Sequence, residues 1–229
     1  MSVDWENLIH SIAHDARALV RKGLLNAQLL ERLLGQAADV QASQHLRAVI
    51  ESQMELNCLF VRLVALADAE KPCRSSTHTA SSPGIERIDL ETAVLGAKLE
   101  CGDAIRRAEA ELVIEELPPS SVPPKVQLVL RELLDNSMRY LDSSRRLRVV
   151  IGAEEDETKV RVRVADNGTG VAPAYVDKLF QPLTRLDPVR SGFGLGLAIS
   201  RAIVEAAGGS IRFEPSDAGA SFVFELPNR

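Results

Sequence analysis

The chain has 229 residues and carries 27 Lys and Arg against 32 Asp and Glu, a formal net charge of −5. This acidic balance disfavours a general nucleic-acid binder. Its apolar runs are far shorter than the ~20 residues that cross a bilayer, and Asp4 and Glu6 interrupt any N-terminal signal peptide. The three cysteines, Cys58, Cys73 and Cys101, form no CxxC motif, so we expect reduced thiols and a cytoplasmic protein without a membrane segment.

The first 70 residues predict an antiparallel pair of helices. Apolar residues recur at helical spacing from Trp5 to Leu34 and again from Leu46 to Ala67, which defines an apolar stripe on each helix. The polar residues of 35–43 predict the connecting turn. Because two helices cannot enclose both stripes alone, we expect a homodimer in which two hairpins form a four-helix bundle. Packing of the hairpin on the rest of its own chain is the alternative.

Residues 71–84 (KPCRSSTHTASSPG) are rich in Ser, Thr and Pro and predict a linker. We therefore expect a hairpin domain over 1–70, this linker, and a second domain over 85–229. In the second domain, strands are expected over 85–90, 110–116, 146–153, 158–165, 210–214 and 220–226, and helices over 90–102, 123–141, 171–179 and 194–207. Helices with mostly antiparallel strands make an α+β layered sandwich.

Two glycine-containing segments of the second domain are candidate ligand loops. Asp166-Asn167-Gly168-Thr169-Gly170 directly follows a predicted strand. Its carboxylate can accept a hydrogen bond from an exocyclic amine such as that of adenine, and its glycines permit close backbone approach. Residues 191–197 (SGFGLGL) precede a predicted helix N-terminus, where backbone N–H groups favour phosphate. A plain turn and a flexible loop are the alternatives, and neither segment has the Rossmann or P-loop pattern.

The third candidate segment is the predicted helix around residues 130–140. Glu132, Asn136 and Arg139 lie at i, i+4 and i+7 and therefore share one helical face. They offer a general base, an amide oxygen suited to Mg²⁺, and a cation for phosphate. Taken singly, a solvated face with a helix salt bridge is the simpler interpretation. The occurrence of all three segments in one domain argues against independent accidents.

With these motifs, residues 85–229 resemble the catalytic, ATP-binding domain of bacterial sensor histidine kinases, which has the Bergerat nucleotide fold. The resemblance implies that Asn136 binds Mg²⁺, that Glu132 is the acidic residue of the same helix, and that Asp166 contacts adenine. Residues 178–183 (KLFQPL) resemble the family's phenylalanine box. The remaining residues that the resemblance implies at the nucleotide are Arg139, Tyr140, Gly168, Gly170, Phe180, Arg185, Gly192, Gly194, Leu195 and Gly196.

The N-terminal hairpin carries His14 followed by Asp15, off its apolar stripe. This pair resembles the phosphoacceptor box of histidine kinases, so the resemblance covers essentially the whole chain. A neutral imidazole is nucleophilic near pH 7 and attacks the γ-phosphorus of ATP, while the neighbouring carboxylate accepts the other ring proton. His10 is the rival acceptor, but Ser11 follows it rather than an acid.

The expected activity is autophosphorylation of His14 by Mg-ATP, followed by transfer to an aspartate of a response-regulator receiver domain. A non-catalytic phosphotransfer hub that relays phosphate between receivers is the alternative, and an ATPase that does not use His14 is a third reading. The intact nucleotide motifs favour the kinase. Leu19 replaces the family's usual proline, and Ala18 stands where a Thr or Asn supports phosphatase activity, so we expect weak dephosphorylation. Because so few residues precede His14, we expect a fragment of a longer protein or input from a separate sensor.

Overall fold

The structure, a computed structural model, describes residues 87–185, 193–216 and 218–228, together with scattered positions between 20 and 67. The chain divides into two compact units, Met1–Asp68 and Ala69–Arg229. His14, Asp15, the predicted turn at 35–43 and the predicted linker lie outside the described residues. The statements below therefore concern the described parts of each unit taken separately.

In the first unit, the described positions between 20 and 30 and between 46 and 67 are helical. The two groups lie against each other, because a Cβ on Gly23 would come 3.2 Å from the side-chain oxygen of Gln53. Val20, Ala27 and Ala67 are buried, whereas four other apolar side chains remain between 39% and 57% exposed: Leu25, Leu30, Val49 and Leu56. The unit thus leaves apolar surface uncovered.

The second unit has a helix or strand at each predicted place, together with a helix at Gly102–Arg107 and a strand at Ser121–Val122 that were not predicted. In chain order these are β1 (Ile88–Asp89), α1 (Leu90–Glu100), α2 (Gly102–Arg107), β2 (Glu111–Ile114), β3 (Ser121–Val122), α3 (Val126–Arg139), β4 (Arg148–Glu155), β5 (Lys159–Asp166), a 3₁₀ helix (Pro173–Lys178), α4 (Gly196–Ala206), β6 (Ser210–Pro215) and β7 (Ala220–Pro227). The α+β class predicted for this domain is confirmed.

The strands form a five-stranded sheet in the order β2-β4-β5-β7-β6 and a two-stranded sheet in which β1 pairs with β3. Within the larger sheet, β2 and β4 are parallel and the other neighbours are antiparallel. The parallel pair is possible because the connection from β2 to β4 contains α3 and brings the chain back to the end of the sheet at which β2 began. β3 was not predicted, since two residues are too few to show an alternating pattern.

The core lies between the larger sheet and the helices packed on it. Val160, Val162 and Val164 alternate along β5 and are buried, as the period of two predicts. α1 and α4 both pack against α3, and α4 also contacts β6 and β7. The predicted helix over 171–179 is a 3₁₀ helix, which is the usual form for a short turn that opens on proline. In the described part of the chain, no helix combines the length and the apolarity needed to span a membrane.

The outer face of the sheet carries an ion-pair cluster centred on Glu225 of β7. Its carboxylate lies 2.7 Å from Lys159 Nζ, 2.9 Å from Arg161 Nε and 3.0 Å from Arg212 Nη1. Hydrogen bonds from Lys159 first, and then from Arg212 and Arg161, hold the pKa of Glu225 at about 2, below its ordinary 4.5. The cluster therefore joins β5, β6 and β7 on the side opposite the helices.

Replacing Glu225 with Gln is expected to lower the free energy of unfolding at pH 7 by about 1–2 kcal/mol, since its cationic partners are partly exposed and screened by solvent. The depressed pKa makes this contribution complete above pH 4.5 and progressively lost as the pH falls toward 2. Urea titrations across that range should show that the free energy of unfolding falls less steeply with decreasing pH for E225Q than for the parent. E214Q is the control, because Glu214 pairs with Arg212 and is 44% exposed; equal losses in both variants would contradict the prediction.

Candidate functional site

The C-terminal end of α3 is fastened to the loop that follows β5. The helix was predicted from Pro123, but α3 begins at Val126. Pro123 and Pro124 instead form a turn before it, in which the Val126 N–H donates to the Pro123 carbonyl (2.9 Å). At the other end, the Tyr140 carbonyl accepts hydrogen bonds from the Thr169 N–H (2.9 Å) and hydroxyl (3.2 Å). The helix end and the Asp166–Gly170 loop are thereby held together.

Asp166, the last residue of β5, is held by three parts of the fold. Its Oδ1 accepts the Gly168 N–H (2.9 Å) from its own loop and the Ala220 N–H (3.2 Å) from β7. Its Oδ2 lies 2.9 Å from the Ser137 hydroxyl on α3. The carboxylate therefore has a fixed orientation at the junction of α3, β5 and β7.

Glycine is required at Gly168 by close backbone approach. A Cβ there would lie 2.5 Å from the Tyr140 carbonyl oxygen, which is closer than real Cβ contacts come. Gly170 has φ +69°, a left-handed conformation that L side chains rarely adopt. The sequence predicted that these glycines permit close approach of a ligand; in the structure Gly168 admits the end of α3, and Gly170 faces the Gly219 carbonyl.

An open cavity of about 330 Å³ borders the same loop. It is lined by residues 168–172, by Phe213 of β6 and by Arg145, whose guanidinium donates to the Gly168 carbonyl (3.1 Å). Asp166 and Asn136 are not among its lining residues, so this cavity flanks the polar junction rather than containing it.

The predicted polar face of α3 is buried at Glu132 and partly exposed at Asn136 and Arg139. Glu132 is only 3% exposed and pairs with Arg131 (2.7 Å). Burial alone would lower the pKa of Arg131, but the hydrogen bond to Glu132 and the negative charges of Glu132 and Glu100 together raise it. Arg139 pairs with Asp135 one turn earlier (2.7 Å). The expectation of a solvated face with a helix salt bridge is thus met by the Asp135–Arg139 pair and not by Glu132.

Asn136 differs from its polar neighbours on α3. It is half-buried, and no group in the described part of the chain hydrogen-bonds its side-chain amide. An amide oxygen left without a partner, on a rigid helix next to a fixed carboxylate, fits the hard oxygen ligand that Mg²⁺ prefers.

The residues on either side of 186–192, which include the start of the second glycine-containing segment, are described. Phe180 packs edge-on against Phe222 of β7, with ring centroids 6.3 Å apart. Gly194 has φ +66°, and a Cβ there would collide with the Thr184 carbonyl. Leu195 is fully buried and α4 begins at Gly196. Arg185 is exposed, and Gly192 lies outside the described residues.

Sequence reasoning missed two residues at this junction. The Asn167 side chain accepts the Arg148 N–H (2.7 Å) and donates to the Arg146 carbonyl (3.0 Å), so it holds the start of β4. Ser137 reaches Asp166 across 29 positions of sequence. A hydroxyl beside Asn136 on a helix is the signal for Ser137, but nothing local reveals its partner.

Comparison with known proteins places this geometry in a family. Residues 121–229 match the family described as histidine kinase-, DNA gyrase B- and HSP90-like ATPase. Sensor protein kinase CarS of Pseudomonas aeruginosa is 40% identical over 117 residues, which cover 47% of this chain and 25% of that protein. Sensor protein RstB of Escherichia coli is 27% identical over 236 residues, which cover 97% of this chain and 48% of that protein.

The crystal structure of full-length ShkA in complex with AMPPNP shares the fold, with a TM-score of 0.75 and 21% identity over 97% of this chain and 46% of that one. The chain thus spans less than half the length of these relatives. Residues 121–229 therefore carry the ATPase domain that histidine kinases share with DNA gyrase B and HSP90. Within that class, the relatives named above are sensor kinases, so this segment is similar to the ATP-binding catalytic domain of sensor histidine kinases.

Replacing Gly168 with Ala is expected to lower the free energy of unfolding by about 2 kcal/mol, because the added Cβ forces the Tyr140 carbonyl out of contact with Thr169. Gly102→Ala is the matched control, since its nearest contact would be the flexible end of Arg106 at 3.5 Å and Ala favours the helix that begins there. Chemical denaturation of both variants checks the difference, and an equally stable G168A would show that the close approach does not constrain the fold.

Proposed function

We propose that the chain autophosphorylates His14 with Mg-ATP and passes the phosphoryl group to an aspartate of a response-regulator receiver domain. The observation that carries the proposal is the Asp166 carboxylate, fixed by Ser137, Gly168 and Ala220 beside the helix that bears Asn136. An oriented acceptor next to an available amide oxygen suits the two ends of a magnesium nucleotide. The match to the ATPase family over this segment supports the same conclusion.

In this proposal, Asp166 accepts a hydrogen bond from the exocyclic amine of adenine. Asn136 holds Mg²⁺ through its amide oxygen, and the bound ion neutralises charge on the phosphates. Gly192, Gly194 and Gly196 present backbone N–H groups before α4 to the phosphates, with Leu195 anchoring that turn in the core. Arg139, Tyr140 and Arg185 complete the phosphate side, and Gly168, Gly170 and Phe180 shape the pocket. The ShkA structure, a neighbour in fold, is a complex with AMPPNP.

The proposed phosphoryl step uses a nucleophile from the first unit. A ring nitrogen of His14 forms a bond to the γ-phosphorus as the bond between that phosphorus and the bridging oxygen breaks, and ADP leaves. Asp15 takes the hydrogen bond or proton of the other ring nitrogen and stabilises the developing positive charge. Glu132 belongs to the same proposed site. Its side chain is 3% exposed and pairs with Arg131, which supports a role in fixing α3 in place.

The proposed partners follow from the same reading. A second copy of the chain would cover the exposed Leu25, Leu30, Val49 and Leu56 by forming a four-helix bundle. A receiver domain takes the phosphoryl group, and a sensor in the same or another protein supplies the input. Because the reaction consumes ATP, we place it in the cytoplasm.

Incubation with γ-labelled ATP and Mg²⁺ tests the activity. Acid-labile, base-stable label on the parent chain should be lost in His14→Gln and kept in His10→Gln, which controls for the rival acceptor. Turnover of ATP without protein label would contradict the kinase and identify an ATPase. Failure to bind nucleotide at all would leave the phosphotransfer hub.

Two nearby asparagines separate binding from stability. Asn136→Ala should weaken Mg-ATP binding at least about 10-fold, the effect of losing a metal contact. It should leave the melting temperature unchanged, because the Asn136 amide has no hydrogen-bond partner among the described residues. Asn167→Ala should instead lower the melting temperature, because two hydrogen bonds to the start of β4 are lost. Calorimetric titration and thermal melts of both variants check the contrast. A destabilised N136A with normal binding would remove Asn136 from the proposed site.

A further inference from the structure

The buried hydroxyl of Ser137 lies within hydrogen-bond distance of two acceptors. It is 2% exposed, and its hydroxyl lies 2.9 Å from Asp166 Oδ2 and 3.2 Å from the Leu133 carbonyl. A serine hydroxyl has one proton to donate. The carboxylate is the nearer and stronger acceptor, and the Leu133 carbonyl also serves the hydrogen-bond ladder of α3. The proton therefore belongs to Asp166.

The three hydrogen-bond donors that contact Asp166 among the described residues leave one of its acceptor positions open. Gly168 and Ala220 both donate to Oδ1, while Ser137 donates to Oδ2. A carboxylate oxygen has about two lone-pair sites. Oδ1 is thus filled by the backbone, and Oδ2 keeps one acceptor site beside the hydroxyl. Because every one of these protein contacts is a donor, Asp166 is held as an acceptor toward a ligand.

We propose that Ser137 is a positioning residue that aims Oδ2 of Asp166 at the base and makes the site select a purine with an exocyclic amine over one with a carbonyl. This inference rests on the proposed nucleotide function and deepens it. An amine donates to the remaining site on Oδ2, whereas a carbonyl at the same position would face a carboxylate with no proton between them. Without the hydroxyl, the carboxylate keeps its Oδ1 contacts but is free to rotate about them.

Ser200 on α4 provides a matched control. It is also fully buried, and its hydroxyl donates to the Gly196 carbonyl four residues earlier (3.0 Å), in the same position along the helix as the Ser137 hydroxyl 3.2 Å from the Leu133 carbonyl. Ser137 differs by its contact with Asp166. Ser→Ala at either site removes one buried hydroxyl from a helix and introduces the best helix former, so both variants should fold.

The test compares ATP with inosine triphosphate, which carries a carbonyl where adenine carries its amine. Calorimetric titration of the full chain with Mg²⁺ should show that S137A binds ATP about tenfold more weakly, while inosine triphosphate binding changes less than about twofold. S200A should leave both unchanged. Ser137→Cys, which keeps the volume but is a weak donor, should shift the ratio in the same direction as S137A.

The outcomes separate this inference from the function beneath it. A parent chain that does not bind ATP contradicts the proposed function and the inference together. A parent that prefers ATP, with an S137A variant that keeps the same preference, overturns the inference alone. Equal weakening of both nucleotides in S137A and S137C would assign Ser137 a purely structural role and would also overturn it.

Discussion

The second unit depends on one carboxylate at which three segments distant in sequence meet. Asp166 ends β5, accepts an N–H of β7 and lies against a hydroxyl of α3. Hydrogen bonds to a charged acceptor contribute about 1.5–3 kcal/mol each, more than neutral ones. The Thr169–Tyr140 contact adds a second link between the same loop and the same helix. The helix layer and the sheet are thus joined by polar contacts at the site, in addition to the apolar core.

This junction explains how core packing sets the geometry of a binding site. Asn136 and Ser137 are consecutive, so their side chains point about 100° apart around the helix axis. Ser137 faces Asp166 and fixes the rotation of α3, while Leu133 and Leu134 are fully buried and fix its depth. The direction of Asn136 follows from those two constraints. A substitution that rotates α3 in the core would therefore redirect both Asn136 and Ser137 without touching either of them.

The sequence predicts those parts of the fold whose signal is local. The alternating valines of β5 and the apolar period of α3 were sufficient, because burial of one face imposes its period directly. The parallel pairing of β2 with β4 and the short β1–β3 pair could not be read, since each depends on a partner far along the chain. At the site, the motif Asp166–Gly170 was recognisable from its residue types. The burial of Glu132 was not, because a charged side chain next to Arg131 looks solvated until the fold excludes water from it.

The two faces of the sheet show why polar residues alone do not locate function. On the outer face, Glu225 forms ion pairs with Lys159, Arg161 and Arg212, so the charges of this cluster are paired with one another. Such a cluster stabilises strands and offers a ligand little that water does not. On the helix-covered side, the donors around Asp166 fill one oxygen and half of the other, which leaves a directed acceptor. Among the described residues, an acceptor that is incompletely satisfied and fixed in direction, rather than charge density, distinguishes the face with Asp166 from the face with Glu225.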